Sequence, residues 1–312
     1  MKKVSVVVPM YYEEEVAEEC YKRLKTVFDT IKDKYSYEFV FVNDGSKDKT
    51  LEILKGIASK DKDVKVISFS RNFGHQAAVT CGLRYVTGDA IVIIDADLQD
   101  PPELIPDMLK YWEEGNEVIY GKRKSREGES KFKLMTASMF YSFLNKLSDV
   151  DIPKNTGDFR LVDKKVVDVV NSLPEHNKFL RGLFSWVGFN QYAYEYERKE
   201  RFAGETKYPL KKMLKLAGDG IFSFSSKPLK IMGGIGVFSI VLAFVLLVYS
   251  IISYAFNLNM LTPGWTSIMC TITFLGGVNL LCMYMIGQYI SRIYDESKGR
   301  PEFIVKETIN VK

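Results

Sequence analysis

The sequence predicts an α/β chain built on a doubly wound parallel sheet and followed by a pair of membrane-spanning helices. Three observations predict it. Short β-rich runs alternate with longer amphipathic stretches up to about Lys230; two polar clusters, Asn43-Asp44-Gly45-Ser46 and Asp95-Ala96-Asp97, stand at the ends of two of those runs; and Ile231 to Ile290 contains no Lys, Arg, Asp or Glu.

The β-rich runs are Val4–Val8, Phe39–Val42, Val64–Phe69, Ala90–Ile94 and Glu117–Tyr120. Helical patterns near Glu13–Lys32, Asp48–Ser59, Gln76–Val86 and Pro102–Glu114 separate them, which is the βαβ alternation of a parallel sheet. Ligands of such sheets collect beyond the carboxyl ends of the strands, where both polar clusters fall. From Tyr192, Tyr-Ala-Tyr-Glu-Tyr-Glu alternates as a strand does and leads into Arg198–Tyr208.

Ile231–Phe256 and Trp265–Ile290 each exceed the roughly 20 residues that cross a bilayer core. The uncharged link Asn257–Gly264 carries Pro263-Gly264, while Lys227 and Lys230 precede the first span and Arg292, Lys298 and Arg300 follow the second. The positive-inside rule then makes both termini cytoplasmic at the cell membrane and turns the hairpin loop outward. Lys131–Lys146 and Lys211–Phe224 mix lysines with Phe, Met, Leu and Ile in the manner of helices lying in the headgroup layer, or of ordinary amphipathic helices packed on their own domain. The domain division that follows is 1–207 catalytic, 208–230 juxtamembrane, 231–290 membrane hairpin and 291–312 a cytoplasmic tail. Gly233, Gly234, Gly236, Gly276 and Gly277 allow close helix approach, so a homo-oligomer is expected.

A net charge of +4 over 312 residues gives no reason to propose a nucleic-acid partner. The four cysteines, Cys20, Cys81, Cys270 and Cys282, are far apart and form neither a disulfide framework nor a zinc pattern. The apolar run after Met1-Lys2-Lys3 is too short for a signal-peptide core.

The chemistry concentrates in Asp95-Ala96-Asp97-Leu98-Gln99-Asp100, directly after an apolar strand. Two carboxylates one residue apart suit a hard divalent cation shared with a diphosphate, Mg²⁺ or Mn²⁺ rather than zinc; a solvated acidic turn is the plain alternative. Ser70-Arg71-Asn72-Phe73-Gly74-His75 follows the third strand and opens a helix, so its N–H groups and Arg71 can meet phosphate. His75 reads as a cap or local hydrogen-bonding group before it reads as a base.

Together Val6-Val7-Val8-Pro9-Met10-Tyr11-Tyr12-Glu13-Glu14, Val40-Phe41-Val42-Asn43-Asp44-Gly45-Ser46 and the Asp-Ala-Asp segment resemble the family 2 glycosyltransferases of the GT-A (Rossmann-like) fold. The likeness is greatest to the polyprenyl-phosphate enzymes, among them bacterial undecaprenyl-phosphate glucosyltransferases and dolichyl-phosphate mannose synthase, and it extends through the membrane hairpin. It implies inverting transfer of glucose or N-acetylglucosamine from a UDP-sugar to a polyprenyl phosphate. The resemblance places Pro9, Tyr11, Glu13, Asp44, Arg71, Asp95 and Ala96 around the nucleotide-sugar. Tyr12 departs from the family, where Asn is common. Asp97 and Gln99 are the implied metal ligands, with Asp95 ligating or orienting beside them. In Thr156-Gly157-Asp158-Phe159-Arg160-Leu161, Asp158 stands where inverting enzymes keep a base. A phosphate acceptor needs little deprotonation, so Asp158 is expected to position it while Arg160 and Arg123 bind the phosphate. Arg201 and Lys207, in an Arg-x-x-Gly-x-Thr-Lys-Tyr segment, are expected to neutralise the leaving diphosphate. A processive polysaccharide synthase, whose usual Gln-x-x-Arg-Trp element is absent here, a diacylglycerol glycosyltransferase and a catalytically dead scaffold are the alternatives.

Overall fold

The computed structural model describes residues 1–124, 153, 156–175, 178–197, 227–256 and 264–311. The strands form one eight-stranded sheet of order β7-β5-β6-β4-β1-β2-β3-β8. Its strands are β1 (Lys2–Met10), β2 (Tyr35–Asn43), β3 (Val64–Phe69), β4 (Ala90–Ile93), β5 (Val118–Arg123), β6 (Thr156–Asp163), β7 (Gln191–Tyr196) and β8 (Val305–Ile309).

Side chains alternate across the pleat, and this splits the core into two layers. On one face Val4, Val6, Val8, Phe39 and Phe41 pack beneath α1 (Ala17–Ile31), α2 (Thr50–Lys60) and α4 (Ile105–Glu113). On the other face Val7, Val40, Val42, Ile91 and Ile93 meet α3 (His75–Tyr85), α5 (Lys164–Ser172) and α6 (Leu180–Trp186). The five strand runs and four helical stretches predicted for the first 123 residues are all present. The first helix starts at Ala17 rather than Glu13: the Glu13 carbonyl accepts from Val16 N and Ala17 N in a separate turn, and Val16, at a φ of −115°, stands as the cap before α1.

The parallel-sheet expectation requires correction, since the sheet is mixed. β1 pairs in parallel with β2 and β4, and β2 with β3, but β6 runs antiparallel to both β4 and β5, and β8 runs antiparallel to β3. β6 carries Asp158 and Arg160, which the sequence presented as a polar motif rather than a strand. β8 lies within the predicted tail. Its short run Val305–Ile309 alternates half-buried and exposed positions and covers the edge of β3.

Two long helices follow the gap in described residues, α7 (Lys227–Ala255) and α8 (Trp265–Ser297), and they contact one another. Among the described residues one stretch, Phe274–Ser297, is long and apolar enough to cross a membrane, while Leu229–Leu242 is a shorter apolar segment. The expected interfacial helices at 131–146 and 211–224, the link 257–263, Arg201 and Lys207 lie outside the described residues.

Candidate active site

The antiparallel pairing of β4 with β6 assembles the site. Ile93 is registered with Arg160, and continuing that register two residues along each strand brings Asp95 opposite Asp158. The N-terminus of α3 adds His75, whose Nε2 lies 3.1 Å from Asp158 Oδ2 and 3.7 Å from Asp95 Oδ1. The N-terminal turn of α6 adds Arg181, which donates from Nε to Asp158 Oδ1 at 2.7 Å and from Nη2 to Oδ2 at 2.9 Å. Four groups from four elements thus converge at one end of the sheet.

Electrostatics follows from that crowding. Burial by itself would raise the Asp158 carboxyl, but Arg181 and His75 outweigh it and hold the group well below the usual carboxylate range. Burial lowers the His75 imidazole, and the two facing carboxylates overcome this and raise it to about 9. Asp95 is pushed above its ordinary range by burial; His75 opposes the shift, whereas Asp158, Asp100 and Asp97 add to it.

A divalent cation fits this surplus of carboxylates. Ligand atoms of His75, Asp95 and Asp158 lie within 4.8 Å of one another, a different set from Asp95, Asp97 and Gln99 of the sequence reading. Asp158 is already engaged by Arg181, so the carboxylates best suited to a hard cation are Asp95 and its neighbour Asp97. Leu98, at a φ of 56°, turns the loop tightly enough for Gln99 N to donate to Asp97 Oδ1 at 3.2 Å. Ala96 is buried beneath them.

The other predicted contacts distribute unevenly. Asp44, only 2% exposed, spends its carboxylate on the neighbouring loop: Phe73 N, Gly74 N and Asn72 Nδ2 donate to it at 2.7, 2.9 and 2.7 Å. It shapes the 70–74 loop from within. Gly45, with a φ of +69°, lets that loop approach, since a Cβ there would stand 2.3 Å from the Arg71 carbonyl carbon. Arg71 is exposed above it, stacked 4.0 Å from the Phe73 ring. Pro9 is buried opposite Val42 in the sheet, with Tyr11 exposed and Glu13 half-buried in the loop that follows.

Arg160 does not present the fork expected of it. Its Nε and Nη2 donate to the carbonyls of Asp158 and Gly157 at 3.2 and 3.1 Å, and its guanidinium lies over Phe184. Burial lowers it to about 10. Arg123 sits 3.8 Å from the fully buried Asp100, which also accepts a hydrogen bond from the Tyr196 hydroxyl. Among the described residues the arginine whose fork meets Asp158 is Arg181, and sequence reasoning missed it. Within Lys178-Phe179-Leu180-Arg181 it resembles any surface cation, and the signal available was the short apolar run Leu180–Trp186 that contains it.

Residues 5–170 match the model of glycosyl transferase family 2. An uncharacterized glycosyltransferase of Bacillus subtilis (strain 168) is 52% identical over 98% of this chain and 94% of its own length. The bactoprenol glucosyl transferase of Shigella phage SfV is 42% identical over 97% of this chain and 98% of its own length. Among solved structures, glucosyl-3-phosphoglycerate synthase from Mycobacterium tuberculosis covers 71% of this chain and 78% of its own, with a TM-score of 0.45 and 22% identity. The family match and the full-length relatives bear out the likeness to polyprenyl-phosphate glycosyltransferases, and the chain belongs to glycosyl transferase family 2.

Proposed function

We propose that this glycosyltransferase moves a hexose, glucose foremost, from a nucleotide-sugar to a polyprenyl phosphate, with inversion at the anomeric carbon. The observation that carries the reading is the Asp158 carboxylate, clamped by Nε and Nη2 of Arg181 and by His75. A carboxylate held so far below its usual range is a poor proton acceptor, so the site favours a nucleophile that is already anionic. A phosphate monoester supplies one at neutral pH. The name of the phage relative, a bactoprenol glucosyl transferase, supports the same acceptor and sugar.

In the reaction a phosphate oxygen attacks the anomeric carbon, the bond from that carbon to the donor diphosphate breaks, and the nucleoside diphosphate leaves with the electron pair. Arg181 and His75 keep Asp158 ionised and place two cationic side chains beside it, an arrangement that orients an anionic acceptor and steadies charge as it shifts. The 70–74 loop, shaped by Asp44, and the exposed Arg71 face the nucleotide. Asp95 and Asp97, with Gln99 beside them, would hold Mg²⁺ or Mn²⁺. Such a cation neutralises diphosphate oxygens when bound.

An acceptor with a long hydrocarbon tail requires the enzyme at the bilayer. Val237, Phe238 and Ile240 of α7 and Phe274, Leu280 and Tyr284 of α8 are well exposed, as side chains facing lipid are. We read α7 and α8 as the two-helix anchor of residues 231–290, with the catalytic domain and both termini on the cytoplasmic side and with association into oligomers.

The test is transfer from radiolabelled UDP-glucose, UDP-N-acetylglucosamine and GDP-mannose to undecaprenyl phosphate in detergent, with Mg²⁺ or Mn²⁺ present. An acid-labile labelled lipid from UDP-glucose supports the proposal. Label appearing on diacylglycerol and never on the phosphate would overturn it.

A further inference from the structure

The segment that returns from α8 to the catalytic sheet does more than cover an edge. α8 ends at Ser297, the chain turns at Gly299 with a φ of 58°, and Glu302 then enters the protein with its side chain 7% exposed. Arg84 of α3 donates to Glu302 Oε2 at 2.8 Å, and the buried Lys178 lies 3.6 Å from Oε1. Arg84 lies in the last turn of the helix whose first residue is His75, and Lys178 stands two residues before the helix that carries Arg181. Glu302 therefore ties together the two elements whose side chains hold Asp158. A second tie joins the N-terminus of α3 to the start of α6, where Leu180 N donates to Gln76 Oε1 at 3.1 Å.

The next two residues reach the nucleotide-side loop. Phe303 stacks on Phe69 at 5.1 Å with the rings 10° apart, and Phe69 meets Phe73 edge-on at 5.7 Å. Ser70 N donates to the Ile304 carbonyl at 3.0 Å. Phe73 is the residue whose N–H donates to Asp44, so the stack supports the loop that Asp44 shapes.

The geometry points to Glu302 and Phe303 as positioning residues for the transfer reaction: Glu302 aligns His75 and Arg181 on Asp158, Phe303 holds the 70–74 loop, and together they lock the site to the end of α8. Neither touches substrate. The inference rests on the proposed transfer reaction, and its two arms predict different kinetic defects. Loss of Glu302 disturbs the groups around the reacting centre, whereas loss of Phe303 loosens the donor loop.

The experiment uses the full chain in detergent with nucleotide-sugar and polyprenyl phosphate, and reads kcat and donor KM well below the unfolding temperature. Glu302→Ala is expected to lower kcat about tenfold with donor KM within about twofold, and Phe303→Ala to raise donor KM about fivefold with a smaller change in kcat. Glu302→Gln keeps the hydrogen-bonding shape and should recover part of kcat. Glu307→Ala on the β8 strand, which removes a part-exposed pair with Lys55 of α2, should behave as the wild type. The inference is overturned if Glu302→Ala keeps its kcat, or if all the variants lose kcat in proportion with no separation from KM, as a mere loss of folded enzyme would give. If the wild type glycosylates another lipid and not the phosphate, the acceptor reading fails, and the same separation of kcat from KM is measured with that lipid.

Discussion

Arg181 on α6 and Asp158 on β6 form a two-point contact, Nε to Oδ1 at 2.7 Å and Nη2 to Oδ2 at 2.9 Å, that fixes the orientation of the carboxylate at the centre of the site. Few pairs define a plane as firmly, because both groups are flat and both bonds are charge-assisted. Replacing Arg181 with Ala should leave Asp158 buried without its fork and lower sugar transfer about a hundredfold or more. Arg181→Lys restores the charge and not the fork, and should recover only part of the loss. Steady-state transfer assays on the two variants check this.

The cation site separates into testable ligands. Chelation with EDTA should abolish transfer, and added Mg²⁺ or Mn²⁺ should restore it. Asp97→Asn should weaken Mn²⁺ binding, measured by electron paramagnetic resonance of the free ion, by about tenfold or more. If His75→Gln weakens Mn²⁺ binding as strongly while Asp97→Asn does not, the ion sits among His75, Asp95 and Asp158 instead.

Glu38 predicts how stability responds to acid. It is 1% exposed and accepts hydrogen bonds from Ser5 Oγ, Thr87 N and Thr87 Oγ1, with Lys65 and Lys3 at 2.8 and 2.9 Å. Burial alone would raise its carboxyl, but Lys65, Ser5, Thr87 and Lys3 together lower it to about 2. The folded value lies below the unfolded one, so this contribution is fully present above about pH 5 and fades as the pH falls toward 2. Urea unfolding in detergent should show the wild type losing about 2–3 kcal/mol relative to Glu38→Gln between pH 5 and pH 2. An unchanged difference across that window would refute the assignment.

Gly45 is the backbone position least tolerant of a side chain near the site. A Cβ there meets the Arg71 carbonyl carbon at 2.3 Å and its oxygen at 2.7 Å, and the φ of +69° already disfavours L side chains. Gly45→Ala should cost about 2 kcal/mol or more and raise donor KM, because the Asp44 and 70–74 loops must part. Thermal unfolding together with donor titration measures both effects.

Much of the catalytic half could be read from the chain alone. Apolar runs with period two, separated by amphipathic stretches, are local signals, and β1 through β5 and α1 through α4 followed from them. The Asp-Ala-Asp segment was visible because it directly follows such a run, and the uncharged stretch from Ile231 to Ile290 because hydropathy needs no partner to be recognised. Strand direction is not local. Only the fold decided that β6 runs antiparallel to β4, and that choice sets Asp158 opposite Asp95. The roles of the arginines were equally hidden: Arg160 is drawn inward to its own backbone carbonyls and Arg181 is carried to the carboxylate by a short helix, a division that depends on which face each element presents. The return of Glu302 and Phe303 behind the site is the longest-range case, since a segment beyond α8 contacts residues more than 200 positions earlier, such as Arg84 at a separation of 218. A sequence records which groups are available; which of them meet is set by strand register and packing, because charge and hydrogen bonding act through distance in space and not along the chain.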